Sequence, residues 1–341
     1  MKMRLIALKP FNHKAFYKNA IFDERSWTGS SPYLIAARKL LAQKNIILNT
    51  IDIASNSPTQ KDIYMDVPYP WELQLWVRIL RNKKKSILFI VEPPIVNPFN
   101  HMGIFHFFFS KVYSWNDGII DNVKYFKYYL PVITDFIRTD RIPFKEKKLL
   151  IMMNMNWLPF LPFKLLSFSK KELYTERIKA LEFFDTYYPS DFCLYGKGWN
   201  KPQRFSIKQK IFGYKKYKTH QGEFLSKDKH KILSRFKFCL CFENCEIAGN
   251  ISEKIFDSFK ARCVPVYLGA PNIEDYISSK CFIDFRKFKN YQELVEFLNS
   301  IDEETYNGYL KEIEEFLKSK EFQKQWSIDT FAKVFLKTVA Q

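Results

Sequence analysis

The amino-acid sequence predicts an α/β protein of two doubly wound, Rossmann-like domains. Three observations carry this. Apolar runs of strand length alternate with amphipathic stretches of helix length, the pattern of parallel sheets covered by helices. Residues 236–284, FKFCLCFENCEIAGNISEKIFDSFKARCVPVYLGAPNIEDYISSKCFID, read as strand, turn, helix, strand, the crossover unit of an open parallel sheet. The chain has 341 residues, 47% hydrophobic and 18% aromatic with 34 Phe, enough for two cores. The expected division is a first domain over 1–146, a second over 147–325, and a last helix over 326–341.

In the first domain RLIALK is the opening strand, and residues 27–31 are a polar loop. Pro32 starts a helix with Leu34, Ile35, Leu40 and Leu41 apolar. Residues 46–53 read as a strand and 55–62 as a loop. Residues 71–80 read as a helix with Leu73, Leu75, Trp76 and Leu80 apolar. SILFIV, residues 86–91, is a buried strand that runs into Glu92-Pro93-Pro94, where the prolines stop the sheet. Residues 105–115 hold a further strand. The second domain begins near Lys148 with LLIMMN. A helix over 173–187 follows, then a strand over 192–195 that closes in Gly196-Lys-Gly198-Trp199. Beyond the crossover unit, residues 291–299, 303–318 and 328–340 are helices.

Inside that unit, Phe236, Phe238, Leu240 and Phe242 alternate with Lys237, Cys239 and Cys241. Ser252 is placed to cap a helix whose buried stripe is Ile255, Phe256 and Phe259. Residues 264–268 are apolar as a strand covered on both faces should be. Ligands of such sheets sit beyond the carboxyl ends of the strands. Lys254 is the informative residue. A cation in a first helical turn opposes the helix dipole, at a cost of roughly 0.3–1 kcal/mol. It either points to water or faces a phosphate, which would reverse that sign and use the N–H groups of the turn. Tyr195 and Trp199, beside the glycine turn, are the best aromatic candidates to stack on a sugar or a base.

The totals narrow the partners. The formal net charge is +18, from 54 Lys and Arg against 36 Asp and Glu, which favours an anionic partner. Six cysteines in so long a chain are not a disulfide framework and suggest reduced, buried thiols. No secretory signal and no uninterrupted apolar run of spanning length occur, so a cytoplasmic location is expected. Residues 157–168, WLPFLPFKLLSF, are either a packed lid or an exposed aromatic loop that dips into a bilayer interface. The second reading places the protein peripherally at the inner membrane, in contact with anionic lipid.

FEN, then G-x-I-S-E-K-I-F-D, then V-P-V-Y-x-G-A-P-N-I resembles the donor-binding signature of the glycosyltransferase family 10 fucosyltransferases. The resemblance implies the GT-B fold, two Rossmann-like domains facing each other across a cleft, with the last helix crossing back to the first domain. It implies an inverting, metal-independent transfer of L-fucose from GDP-fucose. The implied acceptor is a hydroxyl, O3 of an N-acetylglucosamine, on a lipid-linked cell-surface glycan such as lipopolysaccharide O-antigen. Glu253 would hold ribose or sugar hydroxyls and Lys254 the pyrophosphate. Glu243, Asn244, Asn250 and Ser252 would line the same site. Where the family carries an aromatic after the glycine, this chain has Asn250, which bears on the identity of the sugar. A second phosphate-binding cation would come from residues 197–237, where Arg204, Lys215 and Lys216 compete. The catalytic base carried over from the family is Glu92, with Asp117 and Asp121 as the other carboxylates. The alternatives are a transferase of this family with another nucleotide sugar, and a non-catalytic nucleic-acid-binding protein. The second predicts a known RNA or DNA motif, and the sequence holds none.

Overall fold

The computed structural model describes residues 4–11, 14–24, 31–54, 57–132, 141–158, 160–167, 171–203 and 206–340, the side chains of 207 and 208 excepted. The chain divides into two units, Met1–Ile133 with Lys320–Gln341, and Thr134–Ser319. The first unit holds β1 (Arg4–Lys9), β2 (Ile46–Thr50), β3 (Lys61–Met65), β4 (Ser86–Ile90), β5 (Lys111–Ser114) and β6 (Tyr125–Lys127). They form one parallel sheet in the order β2-β1-β3-β4-β5-β6. The second unit holds β7 (Lys148–Met153), β8 (Phe192–Tyr195), β9 (Phe236–Phe242), β10 (Val264–Leu268) and β11 (Ile283–Asp284). These are parallel in the order β11-β10-β9-β7-β8. Both sheets are therefore the parallel, helix-covered kind that the alternating pattern predicts.

The first unit is closed by the end of the chain. Helix Ile328–Ala340 lies against helix Pro32–Ala42, with Phe331 edge-on to Tyr33 at 4.9 Å and Phe335 stacked 5.6 Å from Phe89 of β4. The crossing begins at Lys320, ahead of residue 326, because a further helix, Lys320–Trp326, buries Phe322 and Trp326 in the same unit. In the second unit helix Tyr174–Tyr187 packs Phe184 on Phe192 of β8, rings 5.1 Å apart. Helix Glu253–Lys260 buries Ile255, Phe256 and Phe259, as the spacing predicts.

Three expectations need correction. The strand over 46–53 stops at Thr50, and Ile51–Ala54 is a helical turn. The loop over 55–62 ends early, because β3 starts at Lys61. Asp62 enters the sheet buried, held by Arg78 at 2.9 and 3.0 Å, Asn82 at 3.0 Å and Thr59 at 2.7 Å. The segment 157–168 is not a loop throughout, since Leu161–Leu166 is a short helix opened by proline. Trp157 lies against Tyr174 at 5.4 Å, while Leu161 and Leu165 are exposed. Pro159 and Phe168 lie outside the described residues. Among the described residues no helix is long and apolar enough to cross a membrane.

Candidate functional site

In the second unit β9 and β10 run side by side, Phe242 opposite Leu268, and end at one edge. Glu243 follows β9. Its N–H donates to Leu268 O at 2.8 Å, and its side chain is only 1% exposed. A buried carboxylate needs partners. Ser252 supplies two, its N–H and its hydroxyl, each at 2.8 Å, and Lys254 Nζ is the third at 3.2 Å. Ser252 Oγ also caps the helix by accepting from the Lys254 N–H, and lies 3.1 Å from Lys254 Nζ. Gly269 is required here. A Cβ at that position would come within 2.4 Å of Tyr267 Oη and 2.5 Å of Glu243 Cγ.

Burial alone would lower the Lys254 ammonium, but Glu243 and Glu253 outweigh it and hold it above the ordinary lysine value. Lys254 is thus a permanent cation at a helix N-terminus. Glu243 and Ser252 use two of its three N–H donors, which leaves one for an anion. Glu253, the next carboxylate, is exposed at the first turn.

A second cation comes from the helix expected over 173–187, which was not expected to supply a site residue. Arg177 of helix Tyr174–Tyr187 is buried, and donates to Phe242 O at 3.1 and 2.6 Å and to Asn244 Oδ1 at 2.9 Å. Burial lowers its guanidinium, with Tyr174, Glu243 and Glu253 opposing. Arg177 therefore fixes Asn244 and the end of β9 while adding positive charge beneath the carboxylates. It sits 67 residues from Asn244, on helix Tyr174–Tyr187, and nothing local marks it. Behind Lys254, Asp257 gathers Lys229, His230 at 3.0 Å and Lys260 at 3.2 Å. Burial would raise this carboxyl, but those partners outweigh it and hold it well below the usual range.

The remaining expected residues take varied places. Asn250 is buried and donates to Cys245 O at 3.0 Å. Tyr195 ends β8 half-buried, and Lys215 is exposed beside a cavity of about 320 Å³ that Asn156, Trp199 and Gln203 also line. Lys216 is exposed too. Among the described residues, no hydrogen bond joins the side chains of Tyr195 or Lys215 to Glu243, Ser252 or Lys254. Arg204 lies outside the described residues. Trp199 is not a stacking platform. It is buried, its indole N–H donating to Asn154 O at 2.7 Å. The same holds for Tyr267, whose hydroxyl accepts from the Ala270 N–H at 3.0 Å. The six cysteines are buried, as expected, and among the described residues none is joined in a disulfide.

In the first unit Glu92 follows β4 and is half-buried. Its backbone is held on both sides. Its N–H donates to Asp66 Oδ1 at 3.0 Å, and its carbonyl accepts from Asn100 Nδ2 at 3.0 Å, with His101 Nε2 at 3.2 Å. Asp66 is buried, has φ 70, and also accepts from the Val91 N–H at 2.7 Å and Asn100 Nδ2 at 2.6 Å. Burial raises its carboxyl above the ordinary value, with these donors opposing. The other two carboxylates are committed elsewhere. Asp117 pairs with Lys127 at 2.6 Å. Asp121 accepts from the N–H groups of Tyr125, Val123 and Lys124, which hold its carboxyl below the usual range. Such a carboxylate is a poor proton acceptor.

Residues 200–335 match the family model described as glycosyltransferase family 10 (fucosyltransferase), C-terminal. The chain is 34% identical over 84 residues to an alpha-(1,3)-fucosyltransferase of Helicobacter pylori, a stretch that is 25% of this chain and 17% of that protein. It is 39% identical over 74 residues to GDP-fucose protein O-fucosyltransferase 3 of Xenopus laevis, 21% of this chain and 16% of that one. The matches thus cover less than a fifth of either relative. A crystal structure of an alpha1,3-fucosyltransferase with GDP-fucose superposes on 99% of this chain and 90% of its own, with a TM-score of 0.55 and 16% identity. An alpha-glucosyltransferase in complex with UDP and DNA covers 100% of both chains, with a TM-score of 0.58 and 10% identity. At such identities the likeness is one of fold, the two-domain GT-B arrangement of parallel sheets.

Proposed function

We propose, from the match of residues 200–335 to the glycosyltransferase family 10 C-terminal model, that the protein transfers L-fucose from GDP-fucose to a glycan hydroxyl with inversion. The observation that carries this reading is the Glu243–Ser252–Lys254 knot at the ends of β9 and β10. It lies inside the matched family region, where an open parallel sheet binds its ligand. Lys254 directs its third N–H at the diphosphate, and the N-terminus of helix Glu253–Lys260 adds its dipole. Glu253, exposed, accepts from ribose or sugar hydroxyls. Glu243 does not touch the donor first. It holds Lys254 and Ser252 in place, while Arg177 holds Asn244.

As the bond to the diphosphate breaks, negative charge grows on the leaving group and Lys254 meets it without reorganising. No metal is needed in this reading, because side chains supply the cations. Glu92 takes the proton of the attacking hydroxyl. The Asp66 network fixes the backbone from which its side chain projects. We take the acceptor to be O3 of an N-acetylglucosamine in a cell-surface glycan such as lipopolysaccharide, carried on a lipid at the cytoplasmic face. Transfer assayed over a panel of nucleotide sugars tests this. The expected result is a fucosylated product from GDP-fucose in chelator. Turnover with a different nucleotide sugar alone, or heparin retention without GDP binding, contradicts it.

A further inference from the structure

The outward face of helix Leu73–Arg81 is apolar where a surface helix is ordinarily polar. Leu73, Val77 and Leu80, at i, i+4 and i+7, are 69%, 45% and 58% exposed. The face continues onto the segment after β4. Trp76 packs on Phe105 and Phe108 at 5.4 and 5.6 Å, and Phe107, 62% exposed, lies edge-on to Phe108 at 5.6 Å. Ile104, three residues before it, is also exposed. Scattered apolar side chains need no explanation, but a contiguous patch built on two elements does.

The rim of this face is cationic. Arg81, Lys83, Lys84 and Lys85 follow the stripe directly, and Lys83 Nζ lies 3.3 Å from the centre of the Phe107 ring. Among the described residues Arg81, Lys83, Lys84 and Lys85 form no ion pair. The apolar helix Leu161–Leu166 of the second unit is different, since its Lys164 is spent on Glu172 at 3.0 Å. Beside the stripe runs an open groove of about 1160 Å³, lined by Trp71, Leu73 and Val77 together with Arg78, Arg81 and Lys85.

We propose that this face of the first unit docks on a bilayer surface rich in anionic headgroups, its leucines and aromatics entering the interface and its Arg–Lys run meeting phosphate. Charge complementarity selects this occupant. A second copy of the chain seated on the same face would set like cations against each other, in a protein of net charge +18. An anionic lipid attracts each nearby Lys or Arg, and interfacial burial of the stripe adds a second weak term. Two such terms give reversible attachment without a spanning helix. The inference does not depend on the identity of the donor sugar.

Co-sedimentation with vesicles tests it. The protein should bind vesicles of equal parts phosphatidylglycerol and phosphatidylcholine, leave them as salt rises, and ignore pure phosphatidylcholine. Arg81→Glu, Lys83→Glu and Lys84→Glu together should weaken binding on the order of a hundredfold or more. Leu73→Ser, Val77→Ser and Leu80→Ser together should weaken it about tenfold. GDP affinity and melting temperature should stay as in the parent for the charge variant, whose side chains lie at the surface. Absence of binding by the parent protein, or undiminished binding by both variants, overturns the proposal. A parent dimer that the serine variant splits, with no response to lipid, assigns the face to a second copy and overturns it equally.

Discussion

Each sheet sends one strand into a glutamate, and the two glutamates are held in opposite ways. Glu92, after β4, is fixed through its backbone, whose N–H and carbonyl are taken by Asp66, Asn100 and His101. Glu243, after β9, is fixed through its carboxylate, both oxygens of which are taken by Ser252 and Lys254. A proton acceptor needs a rigid base and an available carboxylate, and the first arrangement provides the rigid base. A carboxylate already bound by an ammonium and two donors cannot serve as a base. It can hold a cation charged and aimed, as the raised value of Lys254 reflects. In the proposed reaction the two similar strand ends do different work, one moving a proton and the other meeting a phosphate.

The largest expected effect separates the two ends directly. Glu92→Gln keeps the shape and removes the base, so turnover should fall by roughly two to four orders of magnitude. GDP affinity should be nearly unchanged. Native turnover in Glu92→Gln would move the base to Asp117 or Asp121 and erase the contrast.

Behind the second strand end, Asp257→Asn should cost on the order of 3 kcal/mol, since it leaves Lys229, His230 and Lys260 around a neutral group. The pH dependence has a definite sign. The folded carboxyl is held below its unfolded value, near 3.9 for aspartate, so its stabilisation is present above that pH and is lost as pH falls through the folded value. Urea melts at neutral and acid pH should show the parent losing more stability than Asp257→Asn. Parallel losses would mean the cluster carries no such linkage.

A smaller effect is expected at the first strand end. Asp66→Ala removes the acceptor for two backbone N–H groups and places alanine at φ 70, which should destabilise the first unit by about 2–3 kcal/mol. Asp66→Asn keeps an acceptor oxygen and tolerates that backbone, so its melting temperature should lie much nearer the parent's. Equal melting of the two variants would deny the carboxamide-for-carboxylate rescue on which the positioning role rests.

What was legible in the sequence follows from what lies close along the chain. SILFIV, FKFCLCF and VPVYL announce buried strands by composition alone, and each is a strand. Ser252 and Lys254 are read from their place at a helix start, nine and eleven residues past Glu243. β3 escaped because it opens with Lys61 and Asp62, charges that look like loop until folding brings Arg78 and Asn82 to the Asp62 carboxylate. β6 is three residues at a sheet edge, too short for a period. Arg177 and Asp66 carry no local signature, and Asp257, though it closes the G-x-I-S-E-K-I-F-D motif, shows no sign of its charge partners. Their partners come from other elements, and only folding brings them together.

In the proposed reaction Lys254 is the cation that meets the donor diphosphate. Isothermal calorimetry of GDP, with chelator present, should give a measurable affinity for the parent protein, weakened in Lys254→Ala by roughly 1.5–3 kcal/mol, the scale of a charged hydrogen bond. Equal GDP affinity in the two proteins would contradict it.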